Sequence, residues 1–90
     1  MKIVFDPSFL KKVKKLNIRI RKSFKERIII FSQNPYNLRL DNHSLKGEYK
    51  GFRSIDITSN YRAIYEEILA GDEIIAYFIA IGTHKELYKK

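Results

Sequence analysis

The feature that most constrains this chain is a run of three strand-like segments near its end, punctuated by turn residues. Phe52 to Thr58, Tyr61 to Leu69 and Glu73 to Ile81 are rich in Ile, Tyr and Phe, the residues that suit a pleated, half-buried surface. Ser59-Asn60 and Gly71-Asp72 lie between them and read as hairpin turns. Segments this closely spaced leave no room for crossover helices, so the expected product is an antiparallel meander. A two-residue loop at Gly71-Asp72 sets Ile68 opposite Ile75, Ile64 opposite Ile79 and Arg62 opposite Ile81. At Ser59-Asn60 two registers stay open. A two-residue loop sets Ile57 against Arg62 and turns Asp56 away, whereas a three-residue loop sets Asp56 against Ile64, on the face of Arg62.

The first third reads as helical. "MKIVF" alternates into a short strand, after which Asp6-Pro7 marks a helix start, with Asp6 as the N-cap and Pro7 at the first helical position. Phe9, Leu10, Val13 and Leu16 fall on one helical face, and Lys11, Lys12, Lys14 and Lys15 on the other. Asn17 ends or bends this helix. A second helix from about Ile18 carries Ile20, Phe24, Ile28 and Phe31 until Asn34-Pro35 stops it. The two should form an antiparallel hairpin covering one face of the meander. The fold class is α+β in two layers.

Ninety residues suit one domain, residues 1–90, and 44% hydrophobic with 13% aromatic content supplies its core. The absence of cysteine excludes disulfides and thiolate zinc sites and fits a reducing compartment. Ile74 to Gly82, the longest apolar stretch, is too short to span a bilayer, and the N-terminus lacks a signal-peptide core. A soluble cytoplasmic protein is expected. Eighteen Lys and Arg against ten Asp and Glu give a net charge of +8, the footprint of a chain that meets nucleic acid or an acidic partner. The lysine-rich helix face reads either as an RNA-binding arm or as ordinary solvated surface.

Between helices and strands, Leu38 to Gly51 is polar and contains "DNHSLKGEYKG", with turn glycines at 47 and 51. It carries His43, one of only two histidines. The other, His84, stands four residues before Tyr88, where the last strand ends. The meander returns this tail beside Arg62. A tunable imidazole, a fixed cation and a stacking aromatic are the parts needed for phosphodiester cleavage of RNA. Read singly, Arg62 is an ion-pair partner at the sheet end, His84 a surface histidine and Tyr88 a hydrophobic anchor for the tail. Other chemistries lack their parts. There is no Gly-rich phosphate loop, no HExxH, no nucleophile elbow, too few ligands for zinc, and acidic residues too scattered for two metals. No metal and no cofactor is expected.

The ordered segments "HSLKGEYKGFRSIDI", "YRAIYEEI" and "AYFIAIGTHKELY" resemble the RelE/ParE superfamily of type II toxin-antitoxin toxins, within it the branch of RelE and YafQ-type mRNA interferases. The resemblance covers nearly the whole chain and implies a ribosome-dependent endoribonuclease cutting mRNA in the A site. It implies metal-free attack of the 2′-hydroxyl on the adjacent phosphate, giving a cyclic phosphate and a free 5′-hydroxyl. The implied partners are a cognate antitoxin, mRNA and the ribosome, with the toxin alone a monomer that forms a hetero-oligomer with its antitoxin. By position, His43 matches the histidine of an "HxLxG" loop motif, His84 and Tyr88 the histidine and closing aromatic of the terminal element, and Arg62 the strand arginine that contacts the scissile phosphate. Lys46, Lys50 and Arg53 match a basic stretch that approaches RNA. Two positions depart. Asp56 stands where YafQ-like toxins carry a histidine, and Asn60 where they carry an aspartate. A carboxylate at 56 can accept a proton but cannot offer positive charge to a phosphate. The alternatives are a ParE-like gyrase inhibitor, a catalytically inactive binding protein on the same fold, and a basic RNA-associated module without catalysis.

Overall fold

The computed structural model describes residues 1–88. Its centre is the expected meander: β3 (Phe52–Asp56), β4 (Tyr61–Ala70) and β5 (Glu73–Thr83). Two shorter strands flank it, β1 (Lys2–Phe5) and β2 (His43–Ser44), and the sheet order is β1-β5-β4-β3-β2. β2 pairs antiparallel with β3, while β1 lies parallel to β5, Phe5 beside Phe78. That parallel pair is closed by everything between the two strands, including helices α1 (Pro7–Lys15) and α2 (Ile18–Gln33). Asp6 caps α1 by accepting from the Ser8 N–H at 3.0 Å, and Asn17 caps α2 by accepting from Arg19 at 2.8 Å. Asn17 therefore separates the helices by starting the second.

The hairpin at Gly71-Asp72 closes on the pair Ala70–Glu73, with Gly71 at φ +61°, a conformation that costs glycine nothing. Ile68 faces Ile75 as the loop dictates. Farther from the turn the register slips by one between Ile64 and Tyr65, so Ile64 faces Ala80 rather than Ile79, and Arg62 faces Gly82 rather than Ile81. The extra residue is a β-bulge in β5, and burial records it: Ala76 and Phe78 are buried two apart, but the next buried apolar residue is Ile81, three further on.

The β3–β4 connection follows neither register weighed from the sequence. Four residues, Ile57 to Asn60, separate the strands, and Asp56 lies directly opposite Arg62. The cause is Thr58. Its hydroxyl accepts from the backbone N–H of Asn60 at 3.2 Å and of Tyr61 at 3.0 Å, while Ile57 is fully buried, so the turn is anchored one step earlier than Ser59-Asn60 suggests.

One face of the sheet carries the core. Ile55, Ala63, Tyr65, Ala76 and Phe78 meet Phe9, Phe24 and Phe31 from the helices, with Leu40 beside them. Phe78 is the hub, with ring centroids 5.0 Å from Tyr65 and 5.3 Å from Phe31. Truncating a ring here, as in Phe31→Ala, costs about 3–5 kcal/mol. Leu10, placed on the apolar face of α1 by its spacing, is instead 42% exposed. Strand alternation puts Phe52, Ser54, Asp56, Arg62 and Ile64 on the opposite face, where Ser54 and Ile64 are nonetheless fully buried. No helix among the described residues is long and apolar enough to cross a membrane.

Candidate active site

Arg62 organises the face away from the helices. Its Nε donates to Ser54 Oγ at 2.6 Å, Nη1 donates to the Asp56 carboxylate, and Nη2 donates to the Asp41 carbonyl at 3.2 Å. The Asp41 carboxylate lies 3.7 Å from Nη1, and His43 Nδ1 lies 3.3 Å from Nη2. With its side chain only 12% exposed, Arg62 is a desolvated cation that must be partnered, which explains why Ser54 is buried yet polar.

The loop before β2 delivers His43 to this cation. Leu38–Leu40 forms a single 3-10 turn capped by the Asn37 side chain, and Asp41 closes it in the left-handed region at φ +46°. Asn42 then hooks the chain onto the core face. Its amide donates to Pro35 O at 2.9 Å and to the Tyr65 hydroxyl at 2.7 Å, and its oxygen accepts from Arg53 Nε at 2.8 Å. Burial pushes the Tyr65 phenol up, so it stays a neutral partner. With Asn42 turned one way, pleat alternation turns His43 the other, in register with Ser54 and over Arg62.

The tail is built, not frayed. Thr83 and Glu86 form a capping box at the start of α3 (His84–Leu87): the Thr83 hydroxyl accepts from the Glu86 N–H at 3.2 Å, and the Glu86 carboxylate accepts from the Thr83 N–H at 2.8 Å. Lys12 of α1 adds an ion pair to Glu86 at 3.9 Å, and His84 N–H donates to Asn60 O at 3.3 Å. The His84 and Tyr88 rings pack with centroids 4.6 Å apart at a tilt of 57°, and Tyr88 meets Tyr49 edge-on at 5.8 Å. Tyr49 in turn meets Phe52 at 6.2 Å, so a chain of rings runs from β3 to the tail. The Tyr88 hydroxyl is buried with no hydrogen-bond partner among the described residues.

The residues singled out from the sequence thus fall into two clusters. His43 and Asp56 each contact Arg62, and His84 contacts Tyr88. Among the described residues no hydrogen bond, ion pair or ring contact joins one cluster to the other. The backbone does, because Arg62 faces Gly82 and the Asn60 carbonyl holds His84. Lys46 and Lys50 are exposed at the two ends of the 3-10 turn Gly47–Tyr49. Arg53 lies on the core face with its guanidinium 5.3 Å over the Tyr36 ring. Sequence reasoning missed Asp41, Ser54 and Tyr49. Ser54 was within reach, since any register opposing it to β4 shows its face, and Tyr49 is marked as an aromatic between two turn glycines. No group of three or more His, Cys, Asp or Glu able to hold a metal occurs among the described residues.

The described residues thus form a basic α+β domain with a largely buried arginine, two exposed histidines and an aromatic tail at one sheet end. A family model described as "Bacterial toxin of type II toxin-antitoxin system, YafQ" matches residues 1–89, and the chain belongs to that family. The fold is similar to YafQ from Escherichia coli, at 23% identity over 97% of each chain with a TM-score of 0.75. It is also similar to the RelB-RelE antitoxin-toxin complex from Methanococcus jannaschii, at 31% identity over 94% of each chain with a TM-score of 0.68. A third likeness is to the E. coli DinJ-YafQ complex, at 23% identity over 97% of each chain with a TM-score of 0.64. No curated protein matches the chain.

Proposed function

We propose that this toxin is a ribosome-dependent, metal-independent endoribonuclease that cuts mRNA in the A site and is silenced by a cognate antitoxin. The observation that carries the reading is the contact between His43 and Arg62, a titratable group and a phosphate-binding cation 3.3 Å apart at the exposed rim of the sheet. In this scheme His43 takes the proton of the 2′-hydroxyl, and the freed oxygen attacks phosphorus. Arg62 neutralises charge on the non-bridging oxygens. The 5′-oxygen leaves with a proton from the His84–Tyr88 pair, giving a 2′,3′-cyclic phosphate and a 5′-hydroxyl. Asp41 is the partner a phosphate would displace, since its carboxylate is 67% exposed and only 3.7 Å from Nη1, whereas Asp56 holds the guanidinium from the strand. Lys46 and Lys50 would follow the RNA backbone.

The antitoxin follows from kinship. The E. coli and M. jannaschii relatives were solved as DinJ-YafQ and RelB-RelE complexes, and a chain of net charge +8 suits an acidic partner. Expression should arrest growth, and Arg62→Ala, His84→Ala and Tyr88→Phe should each relieve it with the fold intact. Unchanged toxicity in all three removes the site. One observation favours a second reading: two carboxylates, Asp41 and Asp56, already offset the Arg62 charge. A ParE-like gyrase inhibitor or an inactive binding protein would give DNA damage, or no phenotype, with mRNA intact.

A further inference from the structure

Asp41 is the only non-glycine residue with positive φ among those described, at φ +46° and ψ +49°. That conformation costs most L-residues about 1 kcal/mol, and Asp is among the few that adopt it readily. Its consequence is the direction of one carbonyl. Asp41 O lies 2.9 Å from His43 Nδ1 and 3.2 Å from Arg62 Nη2, so a single backbone oxygen is shared by the imidazole and the guanidinium.

We infer that Asp41 is a positioning residue: its left-handed backbone fixes His43 as the Nδ1–H tautomer and leaves Nε2 as the bare, proton-accepting nitrogen. The inference rests on the reading above for its catalytic meaning, but the tautomer stands or falls by itself. A carbonyl only accepts and a guanidinium only donates, so the two neighbours of Nδ1 make opposite demands on it. With a proton on Nδ1, the 2.9 Å contact is a hydrogen bond. Without one, it sets a lone pair against a lone pair at that distance. Arg62 does not need Nδ1 as an acceptor, because Nη2 already has the Asp41 carbonyl. The carbonyl contact is also the shorter of the two, 2.9 Å against 3.3 Å. The charges facing the ring agree: the Asp41 carboxylate lies 4.0 Å from Nδ1, and the Arg62 cation is itself tied to Asp56. A neutral imidazole has one proton, so Nε2 is free, on a side chain 49% exposed to an incoming 2′-hydroxyl.

The test is long-range 1H–15N correlation on the full chain labelled at histidine, under conditions in which the imidazole is neutral. Wild type, Asp41→Gly and Asp41→Asn should all show a pyrrole-type Nδ1 and a pyridine-type Nε2, because glycine and asparagine both tolerate the left-handed backbone and keep the carbonyl in place. Asp41→Val, whose β-branched side chain resists that conformation, should shift His43 toward Nε2–H. In cleavage assays on programmed ribosomes, Asp41→Val should show a kcat about tenfold or more below that of Asp41→Gly, which lacks the same carboxylate but keeps the carbonyl in place, with the two KM values alike. A pyridine-type Nδ1 in the wild-type protein overturns the inference whatever the activity. So does an Asp41→Gly variant that loses the tautomer while folded. If Asp41→Val fails to fold, the wild-type, glycine and asparagine spectra decide the matter. A pyrrole-type Nδ1 in a wild-type protein that cuts no RNA supports the tautomer and removes the reaction assigned to it.

Discussion

Asp56 stands directly across the β3–β4 ladder from Arg62, and its carboxylate takes the Nη1 of a guanidinium whose Nε is held by Ser54. A strand-to-strand ion pair of this kind fixes where the cation sits before any substrate arrives. It also ties the fold and the site together through one residue. Arg62→Ala should therefore cost about 1–3 kcal/mol, because it leaves Asp56 and the buried Ser54 without their donor. The double variant Arg62→Ala with Asp56→Ala should recover part of that loss, and urea denaturation of the four-membered cycle measures the coupling. Strict additivity would mean that the pair is not coupled in solution.

Tyr88→Phe separates structure from chemistry. The phenol is buried without a hydrogen-bond partner among the described residues, while its ring packs at a tilt against His84 and edge-on against Tyr49. Removing the hydroxyl should leave thermal stability unchanged within about 0.5 kcal/mol or raise it slightly, yet reduce cleavage if the phenol serves the leaving group. A folded, fully active Tyr88→Phe would restrict the ring to stacking.

Lys46, Lys50 and Arg53, which form one basic stretch in the sequence, should behave differently. The double variant Lys46→Ala with Lys50→Ala should weaken RNA binding uniformly and reduce the salt slope by about two contacts without loss of stability. Arg53→Ala should instead lower stability, because it frees the Asn42 oxygen that anchors the loop before His43. Binding isotherms at several salt concentrations, paired with melting curves, distinguish the two effects.

The junction of β1 and α1 carries a pH-sensitive tie. Hydrogen bonds from the Ser8 side chain and then the Tyr77 hydroxyl hold the Asp6 carboxyl below its usual range, and the bond to Asp6 holds the Tyr77 phenol above its own. A depressed carboxyl contributes stability above its unfolded value, about 3.9, and loses it as pH falls through the folded value. A raised phenol contributes below about 10 and loses it as pH rises through the folded value. Tyr77→Phe should thus be least stable relative to wild type at neutral pH. The gap should narrow on both the acid and the alkaline side when denaturation midpoints are compared. A constant gap across pH would show that the bond does not form.

Much of this architecture is legible in the chain. Asp6-Pro7 and Gly71-Asp72 each satisfy a local backbone need, so their roles can be read without tertiary context. The bulge beyond Ile64 cannot be read this way, because no Gly or Pro marks it and only the burial of Phe78 and Ile81 on one face demands it. The β3–β4 register was obscured for a related reason, since the Thr58 hydroxyl imitates a backbone acceptor and moves the turn. Asp41 left no periodic trace. Its function lies in a backbone dihedral and in a carbonyl, which a side-chain motif does not encode.

The central claim is that Arg62 and His43 at the sheet rim cut RNA, and the most direct measurement is primer extension on message from purified programmed ribosomes exposed to this protein. The account predicts a single break at the A-site codon, with a cyclic phosphate on one fragment and a 5′-hydroxyl on the other, absent with Arg62→Ala. Intact message alongside wild-type protein that is folded and bound to those ribosomes would contradict it.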